Sequence, residues 1–98
     1  MTPEAFAQSL AAAEPPAGLP LALAALWHAA RGGWNQAHAI VQAHEGTPDC
    51  DWVHAHLHRI EGDAANAAYW YRRAGRPVAA GAQDAERTDI LAALIRTG

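Results

Sequence analysis

The chain contains no lysine, and Cys50 is its only cysteine. A single cysteine excludes an intramolecular disulfide framework. Seven arginines stand against ten aspartates and glutamates, which gives a formal charge of −3 and no overall basic character. Because nucleic-acid-binding domains carry a basic footprint, we predict that this chain has no nucleic-acid partner.

Long apolar runs are also lacking. The longest, from Leu19 to Ala30, is interrupted by Pro20 and His28 and falls well short of the ~20 apolar residues that a bilayer span needs. The first residues show no basic stretch followed by an apolar run, so no secretory signal is predicted. We therefore expect a cytoplasmic protein without a membrane partner.

Strand-forming residues are scarce, whereas alanine is abundant. Three valines, four isoleucines and four threonines are too few to supply a sheet. Alanine, the residue with the highest helix propensity, occupies 26 of the 98 positions. A chain of this length fits one domain, so we predict a single all-α domain over residues 1–98.

Glycine, proline and capping residues divide the chain into helices. Thr2, Thr47 and Asp63 each precede a periodic apolar segment, as helix N-caps do. The segments predict helical hairpins at about 20–45 and 49–75 and a C-terminal capping helix at about 84–96. The apolar face of the helix after Thr47 is expected to comprise Trp52, Val53, Leu57 and Ile60.

Part of the chain repeats with a spacing of 30 residues. Shifted by that spacing, His28 and Gly32 coincide with His58 and Gly62, and both glycines follow a helix at the same point. Two glycines that end helices at the same point of the repeat indicate two helix–turn–helix units. Each unit would cover an apolar face that the other cannot bury alone. The prediction is two stacked antiparallel helical hairpins, capped by the N- and C-terminal helices.

The second unit resembles the tetratricopeptide repeat and related short helical hairpins. In that pattern a turn glycine is followed by a small residue, then an aromatic residue, then a small residue: here Gly62, Ala67, Tyr71 and Ala74. The resemblance covers about residues 21–74, although the period is 30 rather than about 34 residues. It implies a module that scaffolds proteins or grips peptides, and such repeats are seldom enzymes.

Polar residues that share helix faces define the candidate site. His54 and His58 are four residues apart on one face, and Arg73 shares a face with Trp70 on the next helix. An arginine fork beside an aromatic platform suits a carboxylate, so a protein segment or a small anionic ligand is the predicted partner. The candidate ligand-binding residues are His28, His54, His58, Asn66, Tyr69, Trp70, Arg73 and Arg76.

An alternative hypothesis is a small metal-dependent or acid–base enzyme that uses the His54 and His58 face. Cys50, His54 and His58 recur at four-residue spacing and would offer three ligands to Zn²⁺. No second His-x-x-x-His or Cys-x-x-Cys pair completes such a site, and no catalytic constellation or cofactor motif is found. The favoured prediction is therefore hydrogen-bonded histidines and no cofactor.

Other aromatic and histidine positions give local predictions. His38 follows Trp34 by four residues, which predicts a ring contact along the helix. His56 lies inside an apolar stripe, where a partly buried neutral imidazole with one bonded nitrogen is expected. An exposed aromatic patch containing Trp27 or Trp70 would allow a homodimer.

Overall fold

A computed structural model describes the chain over residues 1–97 and its side chains over residues 1–95. This part of the chain is all-helical, without strands, which confirms the predicted fold class. The helices are α1 (Pro3–Ser9), α2 (Leu21–Ala30), α3 (Trp34–Ala43), α4 (Pro48–Ile60), α5 (Ala64–Ala74) and α6 (Gln83–Thr97). None of these helices is both long enough and apolar enough to cross a bilayer.

Side-chain caps explain where two of the helices begin. The Thr2 hydroxyl accepts a hydrogen bond from the Ala5 N–H at 3.0 Å, and the Asp63 carboxylate accepts one from the Asn66 N–H at 3.1 Å. Thr47 occupies the predicted N-cap position of α4, but its side chain makes no capping hydrogen bond. Instead, the buried Asp51 carboxylate reaches back and accepts from the Gly46 N–H at 3.1 Å.

The turns after α2 and α4 have the same backbone geometry. Gly32 and Gly62 have φ angles of 78° and 89°, in the left-handed region that favours glycine. In each turn the N–H of the following residue returns to a histidine carbonyl, from Gly33 to His28 at 2.8 Å and from Asp63 to His58 at 2.9 Å. These hydrogen bonds satisfy carbonyl groups at the ends of α2 and α4. The two glycines thus end their helices in the same way, 30 residues apart.

Helix α4 is the centre of the packing. It contacts α2, α3, α5 and α6, while α2 also packs on α3 and α6, and α1 on α6. The main core combines residues from five helices: Phe6, Ala22, Leu23, Ala25, Leu26, Trp27, Ala37, Val41, Cys50, Val53, Leu57, Ile90 and Leu94. A second cluster between α4 and α5 contains Ala55, Ala67, Trp70 and Tyr71.

Two predictions about exposure are corrected by this packing. Ile60 is 37% exposed rather than buried, since it lies in the last turn of α4, next to the exposed turn at Gly62. Trp27 is fully buried, and its Nε1–H donates to the Ser9 hydroxyl at 3.1 Å. Trp70 is buried as well, so neither tryptophan forms the exposed patch predicted for a homodimer.

A buried carboxylate on α6 joins that helix to α4 and α5. Glu86 is hydrogen-bonded by His56 Nδ1 at 2.7 Å, by Arg59 at 3.1 Å and by the Tyr71 hydroxyl. Burial alone would raise the pKa of Glu86, but these donors outweigh it and hold its pKa below the usual value. His56 Nε2 has no partner among the described residues, which confirms the expected imidazole with one bonded nitrogen.

Leu57→Ala tests the assignment of the core face of α4. Because Leu57 is fully buried, the truncation should lower the free energy of unfolding by about 2–5 kcal/mol. Ile60→Ala, on the same helix but exposed, should cost less than about 1 kcal/mol. Urea denaturation of both variants measures the difference, and equal losses would contradict the burial pattern.

Glu86→Gln tests the buried network. The N–H₂ group of the glutamine would face the side chains of His56, Arg59 and Tyr71, which are donors themselves. We therefore expect the free energy of unfolding to fall by about 3 kcal/mol. Asp89→Asn removes the same charge from an exposed position of α6 and should change stability by less than about 0.5 kcal/mol. Equal melting temperatures of the two variants would show that the hydrogen bonds to Glu86 do not stabilise the packing of α6.

Candidate functional site

A continuous series of rings connects α3, α4 and α5. Trp34 and His38 stack with centroids 4.7 Å apart and planes at 12°, which confirms the predicted ring contact. His38 meets His54 edge-to-face at 4.9 Å, and His54 stacks on Trp70 with centroids 3.9 Å apart. We call Trp34, His38, His54, His58 and Trp70 the ring band.

Helical spacing explains how the band is assembled. Residues four positions apart share a helix face, which pairs Trp34 with His38 on α3 and His54 with His58 on α4. The two α4 imidazoles lie 4.9 Å apart with planes at 27°, and His58 meets the His38 ring at 5.4 Å. The packing of α3 against α4 then brings three imidazoles together.

His58 is oriented by polar groups at both ring nitrogens. Its Nδ1 lies 2.6 Å from the Glu61 carboxylate, and its Nε2 lies 3.4 Å from the Asn66 side-chain nitrogen. Because the carboxylate can only accept, Nδ1 carries the proton. With the proton on Nδ1, Nε2 carries the lone pair and accepts the long hydrogen bond from the Asn66 side-chain N–H.

His54 and His38 are held in the neutral form. His54 is 2% exposed, and its Nδ1 has no hydrogen-bond partner among the residues described. Burial, together with the neighbouring His58 and His38, lowers the pKa of His54 to about 4. Burial and His58 also lower the pKa of His38, against the opposing carboxylates of Glu61 and Glu45. Both imidazoles therefore offer a lone pair at neutral pH.

The geometry changes the predicted set of metal ligands. One nitrogen from each of His38, His54 and His58 lies within 4.8 Å of the corresponding nitrogens of the other two. Cys50, which the sequence grouped with His54 and His58, belongs instead to the main apolar core, where burial and the adjacent aspartates raise the pKa of its thiol. The third nitrogen thus comes from α3, and sequence spacing along α4 could not reveal it.

A further acidic group adjoins the histidines. His58, Glu61 and Asp63 also bring one ligand atom each within 4.8 Å of one another. However, Asp63 already caps α5, and the Glu61 carboxylate is hydrogen-bonded to His58 Nδ1. We therefore treat the three histidines as the group that could hold a metal ion.

The α5 end of the band carries arginines on aromatic rings. The Arg73 guanidinium carbon lies 5.7 Å from the Tyr69 ring centroid and 5.6 Å from that of Trp70, and Arg73 donates to the Tyr69 hydroxyl at 2.8 Å. The Arg72 guanidinium carbon lies 6.0 Å from the Tyr69 ring centroid. We call Tyr69, Trp70, Arg72 and Arg73 the arginine patch. Within the described chain, neither arginine forms an ion pair.

Six of the eight predicted ligand-binding residues are linked by these contacts: His54, His58, Asn66, Tyr69, Trp70 and Arg73. Of these six predicted ligand-binding residues, His54, His58 and Trp70 are buried, and only Tyr69 and Arg73 are exposed.

The other two predicted residues contact different rings. His28 meets the edge of Trp27, with ring centroids 5.1 Å apart. The Arg76 guanidinium carbon lies 3.8 Å from the Trp52 ring centroid, beside a cleft of about 220 Å³ that Tyr71 and Glu86 also line. Sequence reasoning missed Trp34 and His38 as members of the site, although their pairing on α3 was the available signal.

Titration of the buried imidazoles should make stability depend on pH. The pKa of His54 is 6.5 in the unfolded chain and about 4 in the folded chain. Between these pH values the unfolded chain therefore binds more protons than the folded chain. The free energy of unfolding of chelator-treated protein should fall by about 2 kcal/mol as pH is lowered from about 7 to 4.5. Urea titrations measure this, with His44→Gln, an exposed histidine, as the unaffected control. Stability that is constant over this range would contradict the lowered pKa.

The chain has been compared with protein-family models, curated proteins and solved structures, and none of them matches it. Its function is therefore inferred from its own residues and their geometry.

Proposed function

We propose that this chain is a helical binding module whose arginine patch receives a carboxylate-bearing protein segment or another small anion. One observation carries the proposal: Arg73 is held over two aromatic rings, yet it has no carboxylate partner in the described chain. The sequence contains ten acidic residues, so this absence of pairing does not reflect a lack of carboxylates.

The arrangement of the arginine patch supports recognition of a planar anion. A guanidinium group is a flat fork of five donors, and only one donor of Arg73 is used by the Tyr69 hydroxyl. Stacking on the rings limits the rotamers of the side chain, so less conformational entropy is lost when a carboxylate binds. The patch is a local excess of positive charge on a chain with a formal charge of −3.

The module is further proposed to consist of two stacked hairpins of the tetratricopeptide-like kind, α2 with α3 and α4 with α5. The similar turns at Gly32 and Gly62 support this, as does the packing of α4 on both helices of the first pair. Since α6 already covers α2 and α4, we place the partner on α5, where Tyr69 and Arg73 are exposed.

A metal-dependent or acid–base enzyme at His54 and His58 is the second candidate. The lowered pKa of His54 favours it, because a general base needs an available lone pair. A substrate also needs a cleft beside those nitrogens. Both histidines are buried, which leaves a substrate little access to their nitrogens. We therefore favour the binding module.

Arg73→Gln tests the proposed function. A fluorescent peptide rich in aspartate and glutamate should bind the intact chain, and its Asn/Gln counterpart should not. Loss of the charge-assisted bonds should weaken binding about tenfold, or about 1.4 kcal/mol. Fluorescence anisotropy measures the affinity, which should also fall as salt is raised.

Arg31→Gln is the matched control, because Arg31 also lies over a tryptophan, 4.6 Å from the Trp27 ring centroid. It should leave peptide affinity unchanged, and melting temperatures should show that both variants are folded. Equal affinity of the Arg73→Gln and Arg31→Gln proteins, or equal binding of the two peptides, would remove the arginine patch as the recognition surface.

A further inference from the structure

The ring band holds a site that is separate from the arginine patch and does not depend on the function proposed for it. We propose that His38, His54 and His58 bind a divalent late transition-metal ion, with zinc as the reference ion. The ligands come from two helices, one imidazole from α3 and two from α4. This ligand set differs from any set available on α4 alone.

The spacing of the three nitrogens fits a metal site that closes with small side-chain movements. Zn–N bonds of about 2.0–2.1 Å in a tetrahedron require nitrogens about 3.4 Å apart. One nitrogen from each of His38, His54 and His58 already lies within 4.8 Å of the other two. His38 is half-buried, so rotation of its side chain can supply the remaining approach, while His54 and His58 stay one turn apart on α4.

Glu61 prepares His58 as a ligand. Its carboxylate lies 2.6 Å from His58 Nδ1 and fixes the proton there, so that Nε2 carries the lone pair. A metal ion at Nε2 would replace the 3.4 Å contact with the Asn66 side-chain nitrogen. Carboxylate–histidine pairs of this kind orient ligating imidazoles and raise their basicity in metal sites. Glu61 is thus a positioning residue rather than a ligand in this proposal.

The burial of His54 favours a ligand that is not protein. Its Nδ1 is buried and has no partner among the described residues, although buried polar atoms are normally hydrogen-bonded. The neighbouring rings of His38, His58 and Trp70 enclose this imidazole, so it has little access to bulk water. A buried imidazole nitrogen without a partner, beside two further imidazoles, is the arrangement expected of a metal site before the ion binds.

The chemistry of the donors selects the class of ion. Three imidazole nitrogens suit zinc, copper and nickel, whereas magnesium and calcium require oxygen ligands. Three protein ligands leave a fourth position for water or another small ligand, as in catalytic rather than structural zinc sites.

Calorimetric titration of the chelator-stripped chain with zinc chloride tests the proposal. We expect saturable binding of one ion per chain and a rise in melting temperature. His38→Gln, at the half-buried position, should weaken binding by at least about tenfold without loss of helicity, and Glu61→Gln should weaken it about tenfold through His58. His44→Gln, an exposed histidine just after α3, should bind zinc like the unmodified chain.

Other outcomes would overturn the proposal. Absence of saturable zinc binding, or equal affinity of the His38→Gln and His44→Gln proteins, would exclude the three-histidine site. Titration with Co²⁺ identifies the donors, and a thiolate-to-cobalt charge-transfer band would assign Cys50 in place of His38. Unchanged zinc affinity in Arg73→Gln is expected, and a loss there comparable to that of His38→Gln would show that the two sites are not separate.

Discussion

Helix α4 is enclosed by other helices on almost every side, and the rest of the molecule depends on how its polar side chains are accommodated there. From Cys50 to His58, every residue except Trp52 is buried. A helix in that position is usually apolar all round, yet α4 carries one aspartate and three histidines in this stretch. Since a buried polar group without a partner destabilises the fold, each of these side chains constrains the elements around it.

Three of these four buried polar side chains of α4 have hydrogen-bond partners, and each partner fixes a neighbouring turn or helix. Asp51 holds the turn before α4 through the Gly46 N–H, His56 holds α6 through Glu86, and His58 holds Glu61 at the turn before α5. The exception is His54, whose Nδ1 is left without a partner among the residues described. It is also the imidazole that the rings of its neighbours enclose, which makes it the centre of the candidate metal site.

Trp70 is part of the arginine patch and also contacts the proposed metal site. One contact stacks its ring on His54, and another places it under the guanidinium group of Arg73. The sites nevertheless call for opposite chemistry: the ring band offers neutral lone pairs to a cation, and the arginine patch offers N–H donors to an anion. The two sites therefore select ions of opposite charge, although Trp70 contacts both.

The sequence by itself determined the features that arise within a single helix or turn. The helix bounds follow from local caps and glycines, and the Trp34–His38 contact and the burial of Leu57 follow from helical periodicity. Only the tertiary structure decided which faces meet: it brought His38 to the α4 histidines, exposed Ile60 and placed Cys50 in the apolar core. The physical reason is that the rotation of one helix against another depends on side chains over the whole interface, which local spacing does not encode.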